Sequence, residues 1–192
     1  MVDGEVVAAA AKIYLMLNKP RGVVTTASDE KGRETVYAYL GGERQFVAPA
    51  GRLDRASEGL LLFTNDSEWA ARVLAPETHL DKTYHVQIGG LVDGSLIRGL
   101  QQGVKTEAGE VLKAKQARIL RSGERNCWLE IVLDEGKNRQ IRRMLEGLGI
   151  EVTRLVRVAI GPLQLGELAK GESRMLTGHE KQKLDEALQG YR

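Results

Sequence analysis

Residues 51–66, GRLDRASEGLLLFTND, place a charged tetrapeptide shortly before a run of four apolar residues. Charged side chains need water or partners, whereas consecutive apolar side chains favour a buried strand. The boundary between residues 52–55 and residues 60–63 therefore falls where a hydrophobic core meets a cleft. The stretch predicts a core strand that holds a charged loop rigidly at that cleft, as a reactive group requires.

The length and composition indicate one sizeable domain or two small subdomains that share a core. The 192 residues need no metal or disulfide for stability, and the single Cys127 can form no internal disulfide. Cys127 lies in the apolar run CWLEIVL, where a buried structural thiol is expected. The acidic N-terminal segment lacks the basic region of a secretory signal, and no apolar stretch has membrane-spanning length, so a cytoplasmic protein is predicted.

The hydrophobic pattern predicts an α+β fold with a mixed, mostly antiparallel sheet and flanking helices. Strands are expected at residues 46–48, 60–64 and 82–90, with short strands before residue 120. Three further segments each hold a strand: residues 13–22, which end in a turn at Pro20 and Gly22, residues 127–136, which end in a turn at Gly136, and residues 153–165, which have a break at Gly161 and Pro162. Helices are expected in residues 67–75, 93–103, 138–149 and 177–188. Asp66 or Ser67 is expected to cap the first helix, and Thr177 with Glu180 forms a capping box for the last.

The segment NRQIRRMLEGLG (138–149) carries the densest positive charge. At about 100° per residue its apolar side chains share one face, and Arg139 and Arg143 project from the opposite face with Arg142 at its flank. The apolar set is Ile141, Met144, Leu145 and Leu148. Residues 137–157 hold six Lys or Arg against two acids, Glu146 and Glu151, an excess that suits a polyanion. An ordinary solvated helix face would give the same pattern.

Several common chemistries lack the residues they need. His79, His85 and His179 lie in dissimilar contexts without metal-ligand spacing, so no metal site is predicted. A Gly-rich phosphate loop and a Gly-x-Ser-x-Gly elbow are also missing, which argues against nucleotide hydrolysis and serine esterase chemistry.

Asp54 lies between Arg52 and Arg55 and is the most suggestive titratable group. A buried carboxylate that must stay ionised needs a cationic partner, because desolvation favours the neutral acid. Arg supplies that charge at any physiological pH and orients the carboxylate by bidentate hydrogen bonds. A structural ion pair in a loop would have the same sequence, so these four residues alone do not decide.

Five segments in this order resemble motifs of the RsuA family of bacterial RNA pseudouridine synthases. They are LNKPRGVVTT (17–26), GRLDRASEGLLLFTND (51–66), KTYHVQI (82–88), EGKNRQIRRML (135–145) and RVAIGPLQLGELAKGESR (157–174). The resemblance covers residues 13–176 and implies the pseudouridine synthase fold, with two subdomains flanking a cleft in residues 13–192. Residues 1–12 would form an N-terminal extension without the S4-type RNA-binding domain of many members. That makes the chain most similar to the subgroup of ribosomal large subunit pseudouridine synthase E.

The resemblance implies isomerisation of a uridine to pseudouridine in ribosomal RNA, with 23S RNA of the large subunit as the expected substrate. No cofactor is expected, because no water, redox equivalent or phosphate is consumed. Asp54 would be the catalytic carboxylate, and it either attacks C1′ or removes a proton from C2′. Neither a membrane nor a small-molecule partner is expected, and the absence of a long exposed apolar stripe favours a monomer.

The remaining site residues follow from their positions in the family motifs. Tyr84 would stack on the uracil and take part in proton transfer, and Arg142 would pair with Asp54 and hold it ionised. Arg52 would enter the RNA stack where the target base leaves, or it would form a second salt bridge to Asp54. The residues expected to bind RNA are Arg52, Arg55, Lys19, Lys137, Arg139 and Arg143, with Lys19 also shaping the cleft.

Two other functions remain open at this point. A non-catalytic ribosomal RNA-binding or assembly factor could use the same basic cleft, although Asp54, Tyr84 and Arg142 would then have no catalytic purpose. A nucleoside or glycoside hydrolase would need a second carboxylate and a site for water.

Overall fold

The computed structural model describes residues 11–26, 28–43 and 46–189. Most of the predicted N-terminal extension, residues 1–12, lies outside these ranges. The strands are β1 (Tyr14–Lys19), β2 (Ala48–Ala50), β3 (Glu58–Thr64), β4 (Lys82–Gly89), β5 (Val104–Lys105), β6 (Val111–Leu112), β7 (Gln116–Ser122), β8 (Asn126–Leu133), β9 (Val152–Ile160), β10 (Leu163–Gln164) and β11 (Ser173–Met175). The α-helices are α1 (Ser67–Leu74), α2 (Gly94–Gln102), α3 (Gln140–Gly147) and α4 (Gly178–Gln189). The predicted α+β class is confirmed.

One large sheet organises the described residues, with strand order β11-β1-β3-β9-β4-β8-β7. β2 pairs with β3, and β10 pairs with β9. All of these pairings are antiparallel except that of β3 with β9. The predicted mixed, mostly antiparallel sheet is therefore confirmed, and β5 with β6 forms a separate two-stranded ribbon.

The two faces of the sheet are covered by different helices. On the face that we call the α3 face, α2 and α3 pack against β4, β8 and β9. On the opposite face, the α4 face, α1 and α4 pack against β1, β3 and β10. Alternate residues of β3 enter cores on both faces, Leu60 and Leu62 on one and Leu61 and Phe63 on the other. This double coverage explains why its sequence is a continuous apolar run.

The local predictions hold with two shifts. The predicted strand at residues 60–64 begins earlier, at Glu58, and the one at residues 46–48 is displaced to β2 (Ala48–Ala50). Asp66 caps α1 by accepting a hydrogen bond from the Trp69 N–H at 3.1 Å. Cys127 is buried as a free thiol. No helix in the described ranges is long and apolar enough to cross a membrane.

The capping box of α4 is confirmed. The Thr177 N–H donates to the Glu180 carboxylate at 2.9 Å, and the Glu180 N–H donates to the Thr177 hydroxyl at 3.1 Å. The two bonds satisfy orphan donors at the start of the helix.

Gly59 allows the parallel contact between β3 and β9. Its φ is +107°, and an added Cβ would lie 2.2 Å from the carbonyl oxygen of Arg157. We expect Gly59→Ala to lower the free energy of unfolding by about 3 kcal/mol or more, because backbone strain adds to a clash with main chain that cannot yield.

Denaturant unfolding of Gly59→Ala beside Gly99→Ala measures this effect. Gly99 lies within α2, and an added Cβ there meets no atom within 4 Å. Gly99→Ala should raise stability by up to about 1 kcal/mol, as expected for a helix interior. A Gly59→Ala protein of wild-type stability would contradict the assigned backbone contact.

Candidate active site

Asp54 lies in the loop that leads into β3, at the position the sequence predicted. Its side chain is 35% exposed, so the carboxylate is accessible to a ligand. Neighbouring Leu53 is buried among core residues beneath the loop. Residues 52–57, which we call the Asp54 loop, therefore join a buried anchor to an open carboxylate.

Lys19 fixes the Asp54 loop from below. Its side chain is fully buried, and its ammonium donates to the carbonyl oxygens of Ser57 at 2.7 Å, Pro20 at 3.0 Å and Arg55 at 3.3 Å. Burial lowers the pKa of Lys19 to about 8, although nearby carboxylates oppose the shift. The prediction that Lys19 binds RNA is wrong, because the enclosed ammonium already serves three carbonyl groups.

The rest of the NKPRGVVTT segment adds further bonds to the same loop. The Gly22 N–H donates to the Arg55 carbonyl at 2.8 Å, and the Thr25 hydroxyl donates to the Leu53 carbonyl at 2.8 Å. Both bonds are accepted by main-chain carbonyls of the loop, so they restrain its backbone directly. The first and second motifs therefore form one structural unit.

Arg139 provides the ion pair of Asp54. Its guanidinium lies 3.5 Å from the Asp54 carboxylate and 3.9 Å from that of Glu146. Arg139 precedes α3 with φ 51° and ψ 34°, a left-handed conformation that costs a non-glycine residue about 1–2 kcal/mol. The backbone is thus held in an unfavourable conformation where its side chain reaches the loop.

Arg142 does not pair with Asp54, so that prediction is wrong for the structure as described. No ion pair joins the two among the described residues, and the Arg142 guanidinium instead donates to the Ser57 hydroxyl at 3.2 Å. Arg142 is 9% exposed rather than directed outward, and its Nε is buried without a hydrogen-bond partner in the described chain. Burial and the charge of Arg139 lower the pKa of Arg142, and the negative charge of Asp54 opposes that shift, so the two groups interact at a distance without forming an ion pair. Helical periodicity could not reveal this, because the covering element is a distant loop.

Tyr84 lies on β4 in register with Ile131 of β8 and Arg157 of β9. Arg157 is in turn the parallel partner of Gly59 on β3. Two inter-strand spacings thus separate the Tyr84 and Gly59 backbones, roughly 10 Å. The sheet therefore places Tyr84 two strands away from β3, the strand that directly follows the Asp54 loop.

Arg157 and Glu110 are two charged residues near the site to which the sequence analysis gave no role of their own. Arg157 is buried, and its Nε donates to the Leu60 carbonyl at 2.8 Å. Glu110 binds Lys137 at 3.4 Å and Arg143 at 2.8 Å. The basic segment is therefore less positive than its local sequence indicates, because an acid from the β5–β6 ribbon neutralises part of it.

Arg52 and Arg55 are both exposed on the Asp54 loop. Among the described residues Arg52 makes no ion pair, so the alternative of a second salt bridge to Asp54 is wrong. A guanidinium in solvent beside Asp54 can meet an incoming anion without first losing a partner.

Two cavities lie beside Asp54 and Arg142. One of about 420 Å³ lies between residues 52–55 and a wall that includes Thr25, Lys31 and Arg33. Another of about 410 Å³ is lined by Arg142, Glu146 and residues 149–152. Volumes of this order accommodate small ligands. Within the described ranges no group of three or more His, Cys, Asp or Glu side chains could hold a metal ion.

Comparison with known proteins agrees with this geometry. The family model for RNA pseudouridylate synthase matches residues 13–147. The chain is 38% identical to ribosomal large subunit pseudouridine synthase B of Bacillus subtilis over 95% of its own length and 75% of that protein. It is also 38% identical to an uncharacterised RNA pseudouridine synthase of Aquifex aeolicus, over 97% of this chain and 75% of the other.

A solved structure shares the fold. The crystal structure of a pseudouridylate synthase, 33% identical in sequence, superposes with a TM-score of 0.79 and covers 91% of this chain and 74% of that one. The pseudouridine synthase fold expected from the motifs is thereby confirmed. The chain belongs to the RNA pseudouridylate synthase family.

Proposed function

We propose that this protein isomerises a uridine of ribosomal RNA to pseudouridine, with 23S RNA of the large subunit as substrate. The observation that carries the proposal is the accessible Asp54 carboxylate on a loop fixed by buried hydrogen bonds. A relative at 38% identity is named for ribosomal large subunit pseudouridine synthesis, which supports the substrate class.

The reaction needs one carboxylate and conserves all atoms of the nucleotide. The bond from N1 to C1′ breaks, the base turns, C5 joins C1′, and the proton leaving C5 is balanced by one taken up at N1. Asp54 either attacks C1′ and is later displaced, or it removes a proton from C2′ that is afterwards returned. Both routes require a carboxylate close to the ribose, and the Asp54 loop can supply it.

The other proposed roles come from the family motifs, with Arg142 adjusted to the contact that its side chain makes. Tyr84 stacks on the turned base, and Arg142 supports the reaction by holding Ser57 and adding positive charge behind the loop. Arg52 enters the RNA stack, since a base must leave its helix before C1′ and C5 can be reached together. Arg52 and Arg55 contact phosphates directly, and Lys137, Arg139 and Arg143 do so after exchanging acidic partners for phosphate.

Several expectations stay predictions. The relative named above is a B enzyme, so membership of the E subgroup remains untested. The division into two subdomains, the absence of a cofactor, the monomeric state and a cytoplasmic location also remain predictions. The rival roles of assembly factor and hydrolase differ from the proposal in their products.

Asp54→Asn tests the catalytic carboxylate. An amide is neither a nucleophile at C1′ nor a base at C2′, so pseudouridine formation on ribosomal RNA should fall by about a thousandfold or more. RNA affinity should stay equal or rise slightly, because a negative charge near phosphates is removed. Glu124→Gln is the control, since Glu124 is exposed in the turn between β7 and β8 and makes no ion pair among the described residues. Activity of Asp54→Asn near that of the control would refute the assignment.

Arg139→Gly tests the observed ion pair of Asp54. Glycine adopts φ 51° without strain, so stability should change by less than about 1 kcal/mol. Turnover should fall about tenfold because the carboxylate loses the counterion that balances its charge before RNA arrives, and Arg139→Lys should recover part of it. A rise in KM with unchanged kcat would instead indicate that Arg139 only binds RNA.

Glu110→Gln tests the neutralisation of the basic segment. Loss of this carboxylate frees Arg143 and leaves Lys137 with the more distant Glu135, at 3.9 Å, so RNA should bind more tightly. The slope of log K against log salt should steepen by roughly 0.7–0.9 for each additional phosphate that the protein neutralises. Glu107→Gln, an exposed residue of the same ribbon, controls for a general change in charge. The same slope of log K against log salt for Glu110→Gln and Glu107→Gln would show that Lys137 and Arg143 do not contact RNA.

A further inference from the structure

A row of side chains crosses the part of the α4 face that lies beyond α1 and α4. Direct strand partners run from Arg121 on β7 through Trp128 on β8 and Gln87 on β4 to Arg154 on β9. Directly opposed residues of antiparallel strands share a face, and three strand spacings give a row about 14 Å long. Arg121 is exposed, and Trp128 and Gln87 are partly exposed. We call these four residues the Trp128 row.

Irregularities in two strands shape the row. Between Ile119 and Arg121 the register of β7 shifts, so that Arg121 rather than Leu120 lies opposite Trp128. A second shift leaves Thr153 of β9 without a direct partner, and its hydroxyl donates to the Gln87 carbonyl at 3.1 Å. Bulges re-aim side chains and are frequent near functional sites. Without the first bulge, a leucine would take the place of the guanidinium.

The row combines an aromatic ring with positive charge. The guanidinium carbons of Arg121 and Arg154 lie 5.0 Å and 5.8 Å from the centre of the Trp128 ring. Within the described residues the Trp128 indole N–H has no hydrogen-bond partner. Aromatic rings flanked by arginines bind single-stranded nucleic acid, because bases stack on the ring and phosphates meet the guanidiniums.

The charge of the row itself is complementary to a polyanion, and the neighbouring Glu130 carboxylate on the same face is already bound by Arg118 and His85. The row itself contains two guanidiniums and no carboxylate. Glu58 binds Arg154 at 2.9 Å and also Lys170 at 3.1 Å, so one carboxylate serves two cations. An apolar protein partner would have to desolvate Arg121, which has no ion pair among the described residues. The charge balance therefore favours RNA over an apolar protein surface.

Arg21 connects the row to the cleft. Its guanidinium donates to the carbonyl of Thr153, the residue beside Arg154, at 3.3 Å. The same positive charge acts on Arg142, so Arg21 also lies near the active site. The cleft beside α3 and the row lie on opposite faces of the sheet, so an RNA strand that leaves the cleft would pass Arg21 and the ends of β4 and β9 to reach Arg154.

We propose that the Trp128 row is a second RNA-binding surface, which holds an unpaired strand continuous with the RNA segment that carries the target uridine. The proposal rests on the proposed function, because the bound strand belongs to that substrate. The row touches none of the reacting atoms, so its contribution is to affinity and to the choice of substrate.

Intrinsic fluorescence tests this surface without measuring catalysis. Trp69 is fully buried and Trp128 is partly exposed, so a bound nucleobase should quench Trp128 alone. The probe is a single-stranded oligouridylate of about twelve nucleotides, titrated beside an RNA duplex of equal length. Saturable quenching by the single strand, absent in Trp128→Leu, supports the proposal. Emission that does not change on binding of the oligouridylate would overturn it.

Substitution of Arg121 is a second test of this surface. Arg121→Gln should weaken binding of the single strand roughly fivefold, the low end for one lost stacking or cationic interaction, and should leave duplex affinity unchanged. Arg72→Gln removes an equal charge from exposed α1 and should match wild type. Equal losses in both variants, or equal losses on both RNAs, would overturn the proposal. Because binding is read directly, quenching by RNA in a protein without synthase activity would preserve this surface and reject the proposed function.

Discussion

The buried ammonium of Lys19 is the interaction on which the active site depends. A charged group without solvent is costly unless its donors are satisfied, and here all three act on carbonyl groups. Two of those carbonyls, from Arg55 and Ser57, belong to the Asp54 loop. Movement of the loop would therefore leave the buried Lys19 ammonium without two of its hydrogen-bond acceptors. The position of Asp54 is set by main chain, which leaves its carboxylate free to change partners.

Arg142 and Arg139 have different roles at Asp54 because one is buried and the other is exposed. Arg142 is inside, bonded to Ser57, and cannot leave without breaking the loop. Arg139 is outside, shared between Asp54 and Glu146 at distances above 3 Å, and can be displaced by a phosphate or a ribose. One guanidinium thus preserves geometry while the other responds to the ligand. A rigid carboxylate with an exchangeable counterion suits a reaction in which the carboxylate must approach a sugar.

Much of this fold follows from local sequence, because signals such as the apolar run of β3 and the cap at Asp66 need only a few neighbouring residues. The motif order also led to the right family. The errors at Lys19 and Arg142 share one cause, since both side chains bind Ser57, which is 38 and 85 residues away along the chain. The charge of residues 137–157 was overestimated for the same reason, because Glu110 comes from a ribbon that local counting does not include.

The central claim is that Asp54 supports an isomerisation in which C5 of uracil loses its hydrogen and the base stays attached to the RNA. Ribosomal RNA labelled with tritium at C5 of uridine tests this most directly, with released tritium and free uracil measured in the same incubation. The account predicts tritium in water in equal amount to the pseudouridine formed, and no free uracil. Free uracil would indicate a hydrolase. RNA binding without release of tritium would indicate an assembly factor. Either result would contradict the account.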